Sequence, residues 1–137
     1  MKACLCLLVL ALSLCAADRV KTETIHGKLV VRSGEAPVLE AADHKRIALD
    51  GDANTRKVLQ DPRVNSLDAQ ATGHFTAPGK FLIDPQHTHP LLVHDHDKLK
   101  MITYWCEVCS VRAYTPGPCV CCQGDTGLEL RELDQIR

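Results

Sequence analysis

This chain has few aromatic side chains and no excess of basic charge. Phenylalanine, tyrosine and tryptophan together make up 4% of the 137 residues, so few rings are available to stack on bases or sugars. The formal net charge is −1, whereas a surface that binds nucleic acid usually carries a basic stripe. The composition therefore argues against a nucleic-acid partner.

Long apolar runs are also few, and the clearest one lies at the N-terminus. Lys2 precedes an apolar run from Leu5 to Leu14, which ends in Cys15-Ala16-Ala17. A positively charged N-terminus, a short apolar core and small residues at the end of that core are typical of an export signal. The run is shorter than the roughly 20 residues that a membrane span needs. We predict that residues 1–17 are a signal peptide, and that the mature chain has no membrane span.

These residues predict an exported protein of bacterial type, located in the periplasm or outside the cell. Two alternatives stay open for the N-terminus. The run Leu12-Ser13-Leu14-Cys15 resembles a lipobox, although Leu14 stands where lipoprotein signals usually have a small residue. Lipidation of Cys15 is one alternative, and an N-terminal anchor helix that is never cleaved is the other.

Cysteine is missing from Ala16 to Trp105, and this gap makes the distribution informative. Of eight cysteines, three lie in the predicted signal. The other five are Cys106, Cys109, Cys119, Cys121 and Cys122. Exported proteins generally use cysteines as disulfides that close large loops. An odd number crowded into one short segment instead favours a set of metal ligands, with a disulfide cluster as the alternative.

The central part of the chain reads as short strands with one helix among them. Apolar alternation and turn residues predict five strands, at Ile25 to Arg32, Val38 to Ala42, Arg46 to Asp50, Leu67 to Phe75 and Lys80 to Asp84. Gly73 marks a bulge or a close approach of two backbones. A short helix before the fourth strand is capped by Asp52 or Asn54 and stopped by Pro62.

Five strands with a helix before the fourth resemble an oligonucleotide/oligosaccharide-binding (OB) barrel. The resemblance covers about residues 25–84 and implies a small barrel whose ligands cross the second and third strands. Here that region offers charged and imidazole side chains but no aromatic ring: Glu40, Asp43, His44, Lys45 and Arg46. The fold is therefore expected to carry over without a nucleic-acid activity.

The C-terminal part reads as a hairpin that leads into the cysteines. Leu91 to His94 and Leu99 to Trp105 are its predicted arms, with a polar turn between them. The second arm runs directly into Cys106. We therefore predict an OB-like domain at residues 18–86, followed at residues 87–137 by a hairpin and a four-cysteine ribbon packed on the barrel.

The cysteines form two pairs with metal-ligand spacing, C-x2-C-x9-C-x2-C. Two residues between thiolates let one tight turn direct both sulfurs at one point, and two such turns complete a tetrahedron. The predicted ligands are Cys106, Cys109, Cys119 and Cys122. Cys121 lies between two ligands and is expected to be a spare thiol.

The segment from about Thr103 to Glu132 resembles a zinc ribbon, and more loosely the paired knuckles of rubredoxin. Ser110 follows the first pair where glycine is common, although Gly124 lies near the second. The resemblance implies a bound metal ion, and this departure favours zinc over iron. Trp105-Cys106 with Cys109 is also similar to the W-C-x-x-C of thioredoxin-like oxidoreductases, but the prolines near Gly117 leave too little room for the helix that such a site needs.

Four histidines within ten residues form the last candidate site. His87 and His89 are two apart, as are His94 and His96, so each pair shares a face if the chain is extended. One interpretation is a second zinc or copper site. The interpretation we favour is a polar connection with solvated side chains.

Together these patterns predict a mainly β protein that is not an enzyme. No nucleophile, base and orienting group can be recognised as a set. The leading hypothesis is an exported binding module with a structural zinc ion held by four cysteines, whose partner is an unidentified protein or small ligand. The alternative is a periplasmic metal-handling or thiol-redox protein that uses the cysteines and the His87 to His96 segment.

Overall fold

The computed structural model of the chain describes residues 20–135, and the statements below concern that range. Its strands are β1 Glu23–Val30, β2 Val38–Glu40, β3 Arg46–Asp50, β4 Asp68–Ala77, β5 Lys80–Ile83, β6 Leu91–Asp95, β7 Lys98–Cys106, β8 Val111–Ala113 and β9 Gly127–Glu132. The helix α1 spans Ala53–Leu59, and short 3₁₀ turns lie at Pro62–Val64, Gln86–Thr88 and Leu133–Gln135. The predicted signal peptide, with Cys15, lies outside the described residues.

The first five strands form a closed barrel. Hydrogen bonding runs in the order β1-β2-β3-β5-β4, and β4 returns to pair with β1. The β3–β5 pair is parallel, while the other pairs of this ring are antiparallel. With α1 placed between β3 and β4, the predicted mainly β fold with a small OB-like barrel and one short helix is confirmed.

Helix α1 begins and ends where the sequence indicates. Asp52 is the N-cap, and its Oδ1 accepts a hydrogen bond from the backbone N–H of Thr55 at 2.8 Å. Val58 and Leu59 are buried at 1% exposure, so the short helix is held by packing against the barrel. Pro62 then opens a 3₁₀ turn. In the described part of the chain, no helix has both the length and the apolar character needed to cross a membrane.

Gly73 allows two barrel strands to approach closely. A Cβ atom at this position would lie 2.1 Å from the carbonyl oxygen of Leu82 on β5. A few residues later, the β4–β5 register shifts between Phe75 and Ala77. A register shift of this kind bends a strand locally, and at Gly73 β4 pairs with both β1 and β5. The prediction of a close approach at Gly73 is confirmed.

The hairpin extends the sheet of the barrel. Strand β6 pairs with β4 through Ala69↔Val93, and β7 pairs with β6. The turn between them has positive φ at His96 (47°) and Asp97 (63°), as a two-residue hairpin turn of type I′ requires. Hairpin residues such as Tyr104 join the apolar core of the barrel. The division at residues 86 and 87 stays a prediction, but both segments share one sheet and one core.

Strands β8 and β9 both pair with β7. Strand β8 pairs beside Cys106, through Cys106↔Val111, and β9 runs along the other edge of β7 from Lys100 to Trp105. Strand β7 is therefore the common support of the C-terminal segment. It connects the barrel's core to the first cysteine.

Candidate metal centre

The first cysteine turn starts at the buried end of β7. Cys106 is 1% exposed, and its Sγ accepts from the backbone N–H of Cys109 at 3.5 Å. The N–H of Ser110 donates to the carbonyl oxygen of Cys106 at 2.9 Å, which closes the turn. The strand thus fixes one sulfur, and the turn brings the second beside it.

The second turn repeats this hydrogen bonding. The N–H of Gln123 donates to the carbonyl oxygen of Cys119 at 2.9 Å, and the N–H of Cys121 donates to Cys119 Sγ at 3.4 Å. Gly124 adds two contacts: its N–H donates to Cys122 Sγ at 3.4 Å, and its carbonyl accepts from the N–H of Cys119 at 2.8 Å. Each turn therefore directs N–H groups at the sulfur of its leading cysteine.

The residue after each turn adopts a left-handed backbone conformation. Ser110 has φ of 53° and Gln123 has φ of 60°. Glycine enters this region without the steric cost that other residues meet, which explains why it is common after such turns. The counterpart of Ser110 is Gln123, whereas Gly124 lies one residue further on and binds a sulfur through its backbone.

The two turns bring the ligand atoms of four cysteines together. The Sγ atoms of Cys106, Cys109, Cys119 and Cys122 all lie within 4.8 Å of one another, and Cys106 Sγ lies 3.6 Å from Cys122 Sγ. Sulfurs in a tetrahedron around zinc, at about 2.3 Å from the metal, are about 3.8 Å apart. A disulfide needs about 2.05 Å, and all five cysteines of the described chain are free. This group of four could hold a metal ion.

The pKa values of Cys119 and Cys109 are shifted in opposite directions. Backbone N–H groups of Cys122 and Cys121 lower the pKa of Cys119 to about 7, which favours its thiolate. The neighbouring thiols of Cys121 and Cys122, and then burial, raise the pKa of Cys109. Four thiolates repel one another at these distances. A bound divalent cation would supply the charge that keeps them all ionised.

Cys121 lies at the edge of this group. Its side chain is exposed, and its sulfur is not among the four that converge. Its backbone N–H donates a hydrogen bond to Cys119 Sγ, and its thiol lies near enough to Cys109 to raise the pKa of that thiol. Position 121 thus contributes backbone to the site and presents a thiol beside it.

The centre is buried on one side and open on the other. Cys106 and Cys119 are buried at 1% and 3% exposure, whereas Cys122 is exposed. The tips of the two turns expose Val108 (82%) and Val120 (81%). Of the four ligand residues, Cys122 is exposed and Cys109 is partly buried.

An arginine of the barrel holds the second turn in place. Arg63 Nη1 donates to the carbonyl oxygen of Thr126 at 2.7 Å, and its guanidinium lies 5.1 Å from the ring centre of Tyr104. Arg63 also pairs with Asp61, whose side chain is 4% exposed, at 2.8 Å. Burial would raise the pKa of Asp61, but hydrogen bonds from Arg63 outweigh it and lower that pKa. Thr126 in turn donates to the carbonyl oxygen of Gly117 at 2.8 Å.

This anchor is not predicted by the sequence. Asp61-Pro62-Arg63 follows α1 in the chain and lies 63 residues before Thr126, so only the folded sheet brings the two together. The one local signal was the Asp-Pro sequence, which starts a 3₁₀ turn by capping: Asp61 Oδ1 accepts from the N–H of Arg63 at 3.0 Å.

The four histidines of the predicted second site lie at the two ends of β6. His87 and His89 belong to the connection before the strand, where the His89 ring lies 6.0 Å from that of Tyr114. His94 and His96 lie at its far end, on the order of 15 Å away along an extended chain. Within residues 20–135, the four cysteines are the one group of three or more ligand side chains found close enough to hold an ion, so the structure does not bring these histidines together.

Neither a protein-family model, nor a curated protein, nor a solved structure matches this chain. The class of protein is therefore defined by the fold and the site themselves. The described chain is a small OB-type β-barrel whose sheet continues into a C-terminal segment with a four-cysteine group able to hold a metal ion.

Proposed function

We propose that this protein is a non-enzymatic exported binding module whose C-terminal segment is folded by one structural zinc ion. The observation that carries the proposal is the near absence of a core in that segment. Between Glu107 and Gly127, only Cys119 and Thr126 are buried. A segment of this length without an apolar core needs a cross-link, and a metal ion held by four thiolates supplies one.

Zinc is proposed because the site offers four cysteine sulfurs within 4.8 Å of one another, a spacing that suits a tetrahedral zinc site. Structural zinc sites are closed, four-coordinate and commonly built from four cysteines. Iron uses the same ligands in rubredoxin-like sites, but the residue after each turn here is Ser110 or Gln123 rather than glycine. We propose Cys106, Cys109, Cys119 and Cys122 as the ligands, with Cys121 as a spare thiol.

The binding role is proposed for the barrel. In OB barrels, ligands cross the face formed by the second and third strands. Here β2 and β3 consist of Val38–Glu40 and Arg46–Asp50, which contain no aromatic residue. A protein or a small ligand therefore suits this face better than a nucleic acid. Export is proposed from residues 1–17 alone.

Metal removal tests the structural role. Zinc-loaded protein is treated with a strong chelator under reducing conditions, and hydrogen exchange is followed along the chain. We expect protection to be lost between Cys106 and Gly127, while strands β1 to β5 keep theirs because their core does not include the cysteines. Elemental analysis of the purified protein should give one zinc per chain. A metal-free protein with full protection in this segment would refute the proposal.

The exposure of Cys122 and Cys121 favours a second candidate, a periplasmic metal-handling or thiol-redox protein. An exposed ligand with a free thiol beside it offers a route by which an incoming chelator or partner could take the metal. The histidines from His87 to His96 would assist in that case. The two candidates differ in exchange rate: a structural site holds isotopically labelled zinc for hours, whereas a handling site exchanges it within seconds while the segment stays folded.

A further inference from the structure

Strand β9 leaves one edge of the sheet open. It pairs with β7 along Gly127–Glu132, and within residues 20–135 no strand pairs with its other edge. Its sequence combines two leucines with charges of both signs, in the order Gly-Leu-Glu-Leu-Arg-Glu. An open edge presents a row of N–H and C=O groups with which another strand can pair. This edge is therefore a candidate site for the addition of a strand.

Hydrogen bonds on β7 show which backbone groups of β9 point outward. Thr103 Oγ1 donates to the carbonyl oxygen of Glu129 at 2.8 Å, so Glu129 directs its backbone groups at β7. The carbonyl of Cys106 accepts a hydrogen bond at 2.9 Å on the β8 side, which leaves the odd-numbered residues of β7 facing β9. Because backbone direction alternates along a strand, both observations give the same outward-facing set. Its members are Leu128, Leu130 and Glu132.

The charges on β9 select how a second copy of the strand can pair with it. Two antiparallel registers let outward groups face each other over five residues of each strand. The register centred on Glu129 places two glutamates opposite each other, which destabilises the pair. The register centred on Leu130 places Glu129 of each copy opposite Arg131 of the other. Only this second register matches opposite charges.

We propose that β9 is a homodimer interface, in which the β9 strands of two copies pair antiparallel about a two-fold axis at Leu130. A second copy is the partner because one strand supplies both members of each charge pair, as a self-complementary two-fold interface requires. The outward groups of the two strands form about six hydrogen bonds. Leu128 and Leu130 pack against the barrel core, so the two cores are joined through one continuous sheet.

The side chains of the charge pairs are accessible to a second copy. Glu129 and Arg131 are 34% and 30% exposed, and the contact between them within the chain is long, at 3.5 Å. Glu129 also contacts Arg112 at 2.9 Å. Exposed ion pairs contribute little stability, about 0–1 kcal/mol each. The charges thus determine the register, whereas the backbone hydrogen bonds hold the strands together. None of the cysteines takes part, so the interface is independent of the structural zinc.

Sedimentation of zinc-loaded protein over a range of concentrations tests the interface. We expect a monomer–dimer equilibrium in the parent. R131E and E129R each place like charges opposite each other twice in the dimer, and each should weaken dimerisation about tenfold or more. A mixture of the two variants should dimerise again, because each chain then supplies the charge that the other needs. Such recovery cannot result from misfolding. R32E makes the same change of charge outside β9 and should dimerise as the parent does.

Hydrogen exchange tests the register. Raising the protein concentration should slow exchange at the outward-facing N–H groups of Leu128, Leu130 and Glu132. Exchange at Glu129 and Arg131, whose N–H groups face β7, should stay unchanged. The two sets alternate along one strand, so each residue has its control beside it.

Four results would overturn the proposal. These are a parent that stays monomeric up to about 1 mM, dimers that tolerate both charge reversals, no recovery in the mixture, and concentration-dependent protection confined to another strand. Zinc content is measured on the same samples. A chain that binds one zinc ion but stays monomeric would refute the interface alone, so this failure is distinct from failure of the metal centre.

Discussion

Replacing Cys122 with serine, beside the same change at Cys121, is the sharpest test of the metal centre. Both residues are exposed and adjacent, and serine is nearly the same size as cysteine, so packing changes little in either variant. They differ in where the sulfur points. Cys122 Sγ lies 3.6 Å from Cys106 Sγ within the group of four, whereas Cys121 Sγ lies outside that group.

The size of the effect follows from the number of ligands. Structural zinc binds with an apparent free energy of about 10–16 kcal/mol, so one thiolate of four accounts for roughly 2.5–4 kcal/mol. Cys122→Ser should then weaken zinc binding about a hundredfold to a thousandfold, since 1.4 kcal/mol corresponds to a factor of about ten. It also removes the sulfur that accepts from the N–H of Gly124. Cys121→Ser should change the affinity by less than about threefold.

The measurement is a competition between each variant and a chromophoric zinc chelator, with stoichiometry read by native mass spectrometry. Cys121 lies beside Cys109, so it is the group able to replace the missing ligand in Cys122→Ser. The double variant removes that substitute and should bind more weakly still.

Two results would refute this reasoning. Strong loss in Cys121→Ser with normal binding in Cys122→Ser would show that the ligand register is wrong. Absence of zinc from the parent, together with no free thiols, would show that the cysteines form disulfides instead.

Three further changes test the anchor, the barrel and the turns. Arg63→Ala should lower the free energy of unfolding by about 2 kcal/mol in chemical denaturation, because the buried Asp61 loses its partner and Arg63 is itself partly exposed. The lowered pKa of Asp61 stabilises the folded protein at pH values above its ordinary pKa of about 3.9. This stabilisation is lost as the pH falls through the pKa of the folded state. Arg63→Ala should therefore also reduce the loss of folding stability at acid pH. Gly73→Ala should lower the free energy of unfolding by about 3 kcal/mol or more, because its Cβ would lie 2.1 Å from a backbone carbonyl oxygen. At Gly127 the nearest atom lies 3.9 Å from the added Cβ, so Gly127→Ala should lower it by under about 1 kcal/mol. Ser110→Gly should stabilise the zinc-loaded protein by about 0.5–1 kcal/mol, because glycine tolerates a φ of 53°. The melting temperature should rise accordingly.

Each of these expectations has a result that would contradict it. An unchanged acid-side stability profile in Arg63→Ala would show that Asp61 does not depend on this partner. Equal costs at Gly73 and Gly127 would show that the close approach of β4 and β5 is relaxed in solution. A lower melting temperature for Ser110→Gly would mean that the serine side chain itself supports the turn.

Much of the fold could be predicted because its signals are local. Alternating apolar residues mark the five barrel strands and both arms of the hairpin, and Asp52 with Pro62 brackets α1. A cap, a turn and a strand each depend on a few neighbouring residues, so one sequence suffices to recognise them. The pairing of the cysteines by spacing is local in the same sense, since one tight turn joins the two members of each pair.

The order of strands and the surroundings of the site depend on contacts between distant residues. Nothing near Arg63 in the chain shows that its guanidinium will bind the carbonyl of Thr126, and nothing near His26 shows that its ring will meet His94. Likewise, the sequence places four histidines within ten residues, but β6 holds them at opposite ends. Spacing along a chain determines which side chains share a turn or a face. Only the closing of the sheet, through hydrogen bonds between strands far apart in sequence, decides which turns and faces meet.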